Sequence, residues 1–139
     1  MKVTGFDGRE HTLSFKKHRY KSRRTKHKSS LHLKARELIS SVLPYETVYE
    51  EVTLPGSKTN TTGLLYADFF LPNKLAIIEV HGQQHYEYSS FFYKTQADFL
   101  KSKRRDKKKK EWCELNDITL IILPYNQEEA WKTSIKELL

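Results

Sequence analysis

Two apolar runs, Leu64–Leu71 and Leu75–Val80, stand on either side of Pro72-Asn73-Lys74. Short apolar runs bounded by turn formers predict strands, and apolar side chains at both parities predict strands in mid-sheet, covered on two sides. If Asn73 and Lys74 form a two-residue loop, Pro72 faces Leu75 and, counting outward, Asp68 faces Glu79. A three-residue loop would instead pair Asp68 with Ile78 and turn Glu79 to the other face. Upstream, Ser29 and Ser30 are N-caps for a helix over Leu31–Leu43, ended by Pro44. Its stripe of Leu31, Ala35, Leu38 and Val42, flanked by Leu33 and Ile39, is expected to dock on a sheet. Glu46–Leu54 alternates as a first strand, and Pro55–Gly63 is a polar connector. Thr95–Asn116 lacks Gly and Pro and predicts a long helix, with Phe99, Leu100, Trp112 and Leu115 as its apolar side. Ile118–Leu123 is a buried strand stopped by Pro124, and Gln127–Leu139 a closing helix turning Ala130, Trp131, Ile135, Leu138 and Leu139 inward. Before all of these, Val3, Phe6, Leu13 and Phe15 suit a short hairpin. The order αβββαβα, a strand meander followed by a helical crossover, predicts an α/β fold with a mixed central sheet flanked by helices.

At 139 residues the chain is long enough for one domain and one core. Its net charge of +8 is the footprint of a protein that meets a polyanion. Of its 25 Lys and Arg, eight lie in Lys16–Lys28 and eight in Lys101–Lys110. The first run cannot bury itself. It divides the chain into a basic N-terminal arm, residues 1–28, and a domain over residues 29–139. Lys16, Lys17, Arg19, Arg23 and Arg24 of the arm and Lys103, Arg104, Arg105 and Lys107 of the long helix are the candidate backbone contacts of a nucleic acid. A membrane is the competing polyanion, but no apolar run approaches the roughly twenty residues that span one. No secretory signal is evident at the N-terminus. The single cysteine, Cys113, excludes an internal disulfide and fits a reducing, cytoplasmic setting.

Chemistry enters at the hairpin. Asp68 and Glu79, if opposed, have Cβ atoms about 5 Å apart on one sheet face, where two carboxylates repel unless a cation lies between them. A divalent ion with oxygen ligands, Mg²⁺ or Mn²⁺, is the natural occupant. A period of two places His81 on the face of Glu79, so that His81 is favoured over His85 as a general base or a leaving-group cation. Gln83 and Gln84 follow at once, and amides read base edges well. Tyr86, Tyr88, Phe91, Phe92 and Tyr93 suit either base stacking or core packing.

Asp68, ten intervening residues, then Glu79-Val80-His81 resembles the signature of the PD-(D/E)xK nuclease superfamily, with histidine in place of the usual lysine. His81-Gly82 after the second strand, then an Arg/Lys-rich helix and an apolar strand, is most similar to the very-short-patch-repair endonuclease branch. That branch includes phage and intron homing endonucleases with a Glu, Asp, His, Asp site. The resemblance runs from about Ser29 to Pro124. It implies a restriction-endonuclease-like core and Mg²⁺-dependent hydrolysis of DNA, double-stranded in the first instance, by an intracellular and phage-type protein acting as monomer or homodimer without a small-molecule cofactor. It also implies a first-helix glutamate, whose place is held here by His32 or, one turn later, by Glu37, and an aspartate matched by Asp106. Either His81 or His85 fills the catalytic histidine. The repair enzyme's structural zinc is expected to be absent, since one cysteine cannot supply it. The competing expectations are a nucleic-acid-binding module with a decayed site, a zinc protein using His81 and His85, and RNA as substrate.

Overall fold

The computed structural model describes residues 1–15 and 29–139. The arm positions Lys16, Lys17, Arg19, Arg23 and Arg24 lie outside the described residues. A hairpin of β1 (Lys2–Thr4) and β2 (Glu10–Thr12) is followed by α1 (Ser30–Val42), β3 (Tyr49–Leu54), β4 (Leu65–Leu71), β5 (Ala76–His81), α2 (Gln96–Leu115), β6 (Thr119–Pro124) and α3 (Glu128–Lys136). The four longer strands form one sheet in the order β3-β4-β5-β6. The first two pairings are antiparallel and β5-β6 is parallel, with α2 as the crossover. The fold is thus mixed α/β, with the meander and the helical return expected from the pattern. No helix among the described residues is long and apolar enough to cross a membrane.

Each face of the sheet has its own core. On one, Ala35 and Ile39 of α1 and Trp131 and Ile135 of α3 pack on Phe69, Leu71, Ala76, Ile78 and Leu123. On the other, Trp112 and Cys113 of α2 pack on Val52, Leu54, Ala67, Phe70 and Ile77. Full burial of the Val, Leu, Ile and Phe side chains among these stabilises by about 1.5–3 kcal/mol each. The helix ends follow ordinary capping: Ser29 accepts from the His32 N–H (3.1 Å) and Thr95 from the Asp98 N–H (3.2 Å).

Several expectations change. The core does not begin at Ser29, because Val3 and Leu13 of the N-terminal hairpin are buried in the second core. Phe15 stacks on Tyr49, ring centroids 4.5 Å apart, and Asn116 pins the hairpin through paired bonds to the main chain of Thr4. Leu100, Leu115, Ala130 and Leu139, read as inward, are exposed. The polar connector is fastened at its base. Buried Ser57 donates to the Leu54 carbonyl (2.6 Å) and accepts from the Leu65 N–H (2.8 Å).

The β4-β5 register is the one that opposes the acids. Phe69 pairs with Ile78, Phe70 with Ile77 and Leu71 with Ala76, a count that continues outward to Asp68 facing Glu79. The connection is a single 3₁₀ turn, Pro72–Lys74, closed by Leu75 in the left-handed region at φ 47°.

Candidate active site

The sheet's alternation slips where the acids sit. Leu65 and Ala67 pack in the same core as Phe70, so β4 skips a step at Asp68; Tyr49 and Val52 share that core, so β3 skips at Glu51. Glu51 has φ 53°, an uncommon value for a non-glycine residue and a mark of local strain. Because both strands slip together, Glu50 still faces Phe69 and Val52 still faces Ala67. Beyond Phe69 and Ile78, side chains take over from the β4-β5 ladder. The Asp68 N–H donates to Glu79 Oε2 (2.6 Å) and the Val80 N–H donates to Asp68 Oδ2 (2.8 Å). Each acid thereby satisfies a main-chain donor on the opposite strand.

This opening is the floor of a cleft of about 470 Å³, lined among others by His32, Asp68, Glu79, Gln84, His85, Arg105, Asp106 and Lys109. Its wall is α2. Glu79 is 2% exposed and its Oε1 pairs with Lys109 Nζ. Burial, then the neighbouring Asp68 carboxylate, push Glu79 up to about 7 against the pull of Lys109 and of the Asp68 N–H. A carboxylate this costly to ionise is a site in want of positive charge.

At the far end of β5 the main chain turns through Gly82 into a 3₁₀ turn, Gln83–His85. The turn carries His85 back over His81, and the rings stack with centroids 4.0 Å apart and planes 6° from parallel. His85 Nδ1 lies 3.0 Å from Asp106 Oδ2 on α2. Burial favours the neutral form of Asp106, but the His85 bond and the surrounding positive charge outweigh it and hold Asp106 below the usual carboxylate range. An ionised Asp106 accepts from Nδ1–H, which leaves His85 Nε2 with the lone pair. His81 lies beneath, 8% exposed, pushed down to about 4 by burial and then by His85. It shares the face of Glu79, as its parity requires, yet His85 lines the cleft and His81 does not. His85, rather than the His81 favoured by parity, is the histidine that borders the cleft. Tyr93 fastens the turn to α2: its hydroxyl donates to the Gln84 carbonyl (2.8 Å) and lies 3.1 Å from Ser102 Oγ.

Of the two first-helix candidates, only His32 reaches the cleft. Its Nε2 lies 2.6 Å from Glu50 Oε1 and its ring stacks on Phe69 at 4.5 Å. Arg36, one turn on, pairs with the same glutamate at 2.9 Å. Burial works to raise Glu50, and the bonds from His32 and Arg36 overcome it, so its carboxyl is lowered. Glu37 is exposed and borders a separate hollow with Leu33 and Lys34, so it does not join the site. Gln83 is exposed and donates to Glu87 (2.7 Å). Gln84 lines the cleft. Arg104, Arg105 and Lys107 are exposed, whereas Lys103 lies over the rings of Tyr86 (5.3 Å) and Phe99 (5.6 Å).

Sequence reasoning missed Lys109, Glu50 and Arg36 as parts of this region, and gave Tyr93 only as a stacking or core aromatic. A signal for Lys109 was present. In the run from Lys101 to Cys113, Ser102, Asp106 and Cys113 interrupt the basic residues at helical spacing, and Lys109 lies on the stripe they define. The inward face of α2 is polar where it covers the cleft and apolar after it.

No family model and no solved structure matches the chain. Two curated viral proteins are similar to part of it. Uncharacterized protein 307L of Invertebrate iridescent virus 6 is 32% identical over 65 residues, 47% of this chain and 33% of that protein. Uncharacterized protein 033L of Invertebrate iridescent virus 3 is 33% identical over 61 residues, 44% of this chain and 31% of that protein. The chain spans about a third of the length of these curated relatives.

Proposed function

We propose that the protein is a metal-dependent endonuclease hydrolysing phosphodiester bonds in DNA, built on a restriction-endonuclease-like core of the PD-(D/E)xK type. The observation that carries this reading is the convergence of Asp68, Glu79, Lys109 and the His85–Asp106 pair on one cleft under the basic helix α2. Carboxylate oxygens suit Mg²⁺ or Mn²⁺, and the high proton affinity of Glu79 fits a donor meant to face a cation. Such an ion, when bound, supplies Lewis-acid stabilisation of the charge that builds on the scissile phosphate.

The chain's own groups divide the remaining work. Asp106 fixes the tautomer of His85, whose Nε2 takes a proton from the attacking water. Lys109 balances Glu79 while the cleft is empty of substrate and is placed to meet a phosphate oxygen once a cation relieves it. Arg105 at the rim, with Arg104 and Lys107 beside it and the Lys16–Lys28 run, neutralises the DNA backbone, and Gln84 faces bases. A virus- or phage-encoded, intracellular enzyme of the homing or repair kind, acting as monomer or homodimer, belongs to the same reading.

Supercoiled plasmid incubated with and without Mg²⁺ tests it. Nicked or linear product is expected only with Mg²⁺, and not from Asp68→Asn or Glu79→Gln, which should keep DNA affinity. One observation favours a second reading, a nucleic-acid-binding module without catalysis: Lys109 and two main-chain N–H groups already satisfy the acids. Tight, salt-sensitive DNA binding with no cleavage under Mg²⁺ or Mn²⁺ would select that reading.

A further inference from the structure

His81, His85 and Asp106 each bring a ligand-type atom into one cluster, and the three atoms lie within 4.8 Å of one another. In sequence the two histidines are four apart, a spacing that joins side chains on a helix but not on a strand. Gly82 changes that. It ends β5, and the 3₁₀ turn after it folds His85 back onto His81, while α2 delivers Asp106 from the other side. The holding elements are fixed independently of any ligand. The Tyr125 N–H donates to the His81 carbonyl (2.8 Å), the His85 N–H donates to the Gly82 carbonyl (3.1 Å), and the Tyr93 hydroxyl ties the turn to α2.

We propose that His81, His85 and Asp106 form a second metal site, separate from the Asp68/Glu79 pair, which takes a borderline transition-metal ion of the Zn²⁺ class. Two imidazoles and one carboxylate are the donors such ions prefer, and they leave a fourth tetrahedral position toward the cleft. Metal–ligand bonds of about 2.0–2.1 Å bring donor atoms to roughly 3.3 Å from one another. The Nδ1 of His85 and the Oδ2 of Asp106 already stand 3.0 Å apart, and binding requires the stacked rings of His81 and His85, now 6° from parallel, to tilt toward a common ion. Lys109 is engaged by Glu79 and Lys103 by Tyr86 and Phe99. The one formal negative charge, on Asp106, makes the site poor for Mg²⁺, so selectivity rests on the imidazole nitrogens. Where the endonuclease reading holds, occupancy withdraws His85 from proton transfer, and Zn²⁺ becomes an inhibitor of Mg²⁺-dependent cleavage.

The full chain is titrated with Co²⁺ in the absence of DNA, followed by the visible ligand-field absorption that low-coordinate Co²⁺ shows, and Zn²⁺ is then added as competitor. One equivalent of Co²⁺ should give the low-coordinate spectrum and be displaced by Zn²⁺, whereas an ion held by the oxygen donors of Asp68 and Glu79 contributes little visible absorption. His85→Ala and Asp106→Asn, both at half-exposed positions, should each weaken binding by at least about tenfold to a hundredfold, as should His81→Gln, while Asp68→Asn leaves the spectrum intact. Circular dichroism confirms that the variants are folded. Binding only in the millimolar range, or binding that survives loss of both His85 and Asp106, overturns the proposal. Because no cleavage is read, failure of the nuclease reading leaves this result standing, and failure here leaves the nuclease reading untouched.

Discussion

Replacing Glu79 by Gln should remove a loss of stability that the metal-free protein undergoes as pH rises from mildly acid to mildly alkaline. Glu79 is almost fully buried, and burial together with Asp68 raises its carboxyl from 4.5 to about 7. The folded state therefore holds this proton more tightly than the unfolded chain does. The stability that the protonated form contributes is complete below about 4.5 and is lost as pH rises through about 7. Each tenfold difference in proton affinity between the two states is worth about 1.4 kcal/mol, so between about pH 5 and about pH 8 the loss integrates to roughly 2 to 3 kcal/mol. Glutamine cannot ionise and so escapes it. The amide loses one acceptor, since Lys109 and the Asp68 N–H both donate to the carboxylate, a cost of about 1–3 kcal/mol. That cost offsets part of the gain at any one pH, but it cancels from the change with pH. Urea melts in a chelating buffer, read by the fluorescence of buried Trp112 and Trp131, give both curves. The difference in unfolding free energy, variant minus wild type, should grow by roughly 2 to 3 kcal/mol across the interval. Parallel curves would falsify the account of Glu79 as a strained acid. Added Mg²⁺ near pH 8 should then stabilise the wild type and not the variant.

Three further outcomes are expected. His85→Ala should lower the cleavage rate by at least about a hundredfold, and more than His81→Ala does, with the wild-type rate falling on acidification; a larger loss at His81 would return the base to that residue. Leu13→Ala should destabilise by about 2–5 kcal/mol in urea melts, since the hairpin is part of the core, whereas an unchanged midpoint would make residues 1–15 dispensable. Neutralising Arg104, Arg105 and Lys107 one at a time should each flatten the dependence of log K on log salt by about 0.9, measured by DNA-binding titration, and an unchanged slope would remove that residue from the interface.

Most elements were legible in the sequence because periodicity and punctuation agreed: serine caps before α1, proline after it, and an unbroken polar stretch for α2. The opposition of Asp68 and Glu79 was legible as well, because the 3₁₀ turn preserves the count that a two-residue loop gives. The slip at Glu51 and Asp68 was not. A positive φ on glutamate leaves no mark in the sequence, and strict alternation through β3 and β4 assigns the wrong face beyond it. Arg36 went unnoticed, and His32 was named only through the family resemblance, because their partner, Glu50, is on a distant strand. The apolar side of α2 was misread at Leu100 and Leu115 because that helix covers a polar cleft, so its buried face includes Ser102. Parity put His81 and Glu79 on one face correctly, but it could not say that Gly82 would lay His85 between His81 and the cleft.

The exchange of bonds between Asp68 and Glu79 changes what an alignment of relatives can mean. Each acid closes a main-chain donor that the opened ladder leaves behind, so a lineage that has lost all chemistry still gains from keeping both. Retention of the pair is then evidence of this seam in the sheet, not of turnover. His85 and Asp106 belong to no strand pairing, and the fold asks less of them. They are the positions at which an active descendant and a retired one should part.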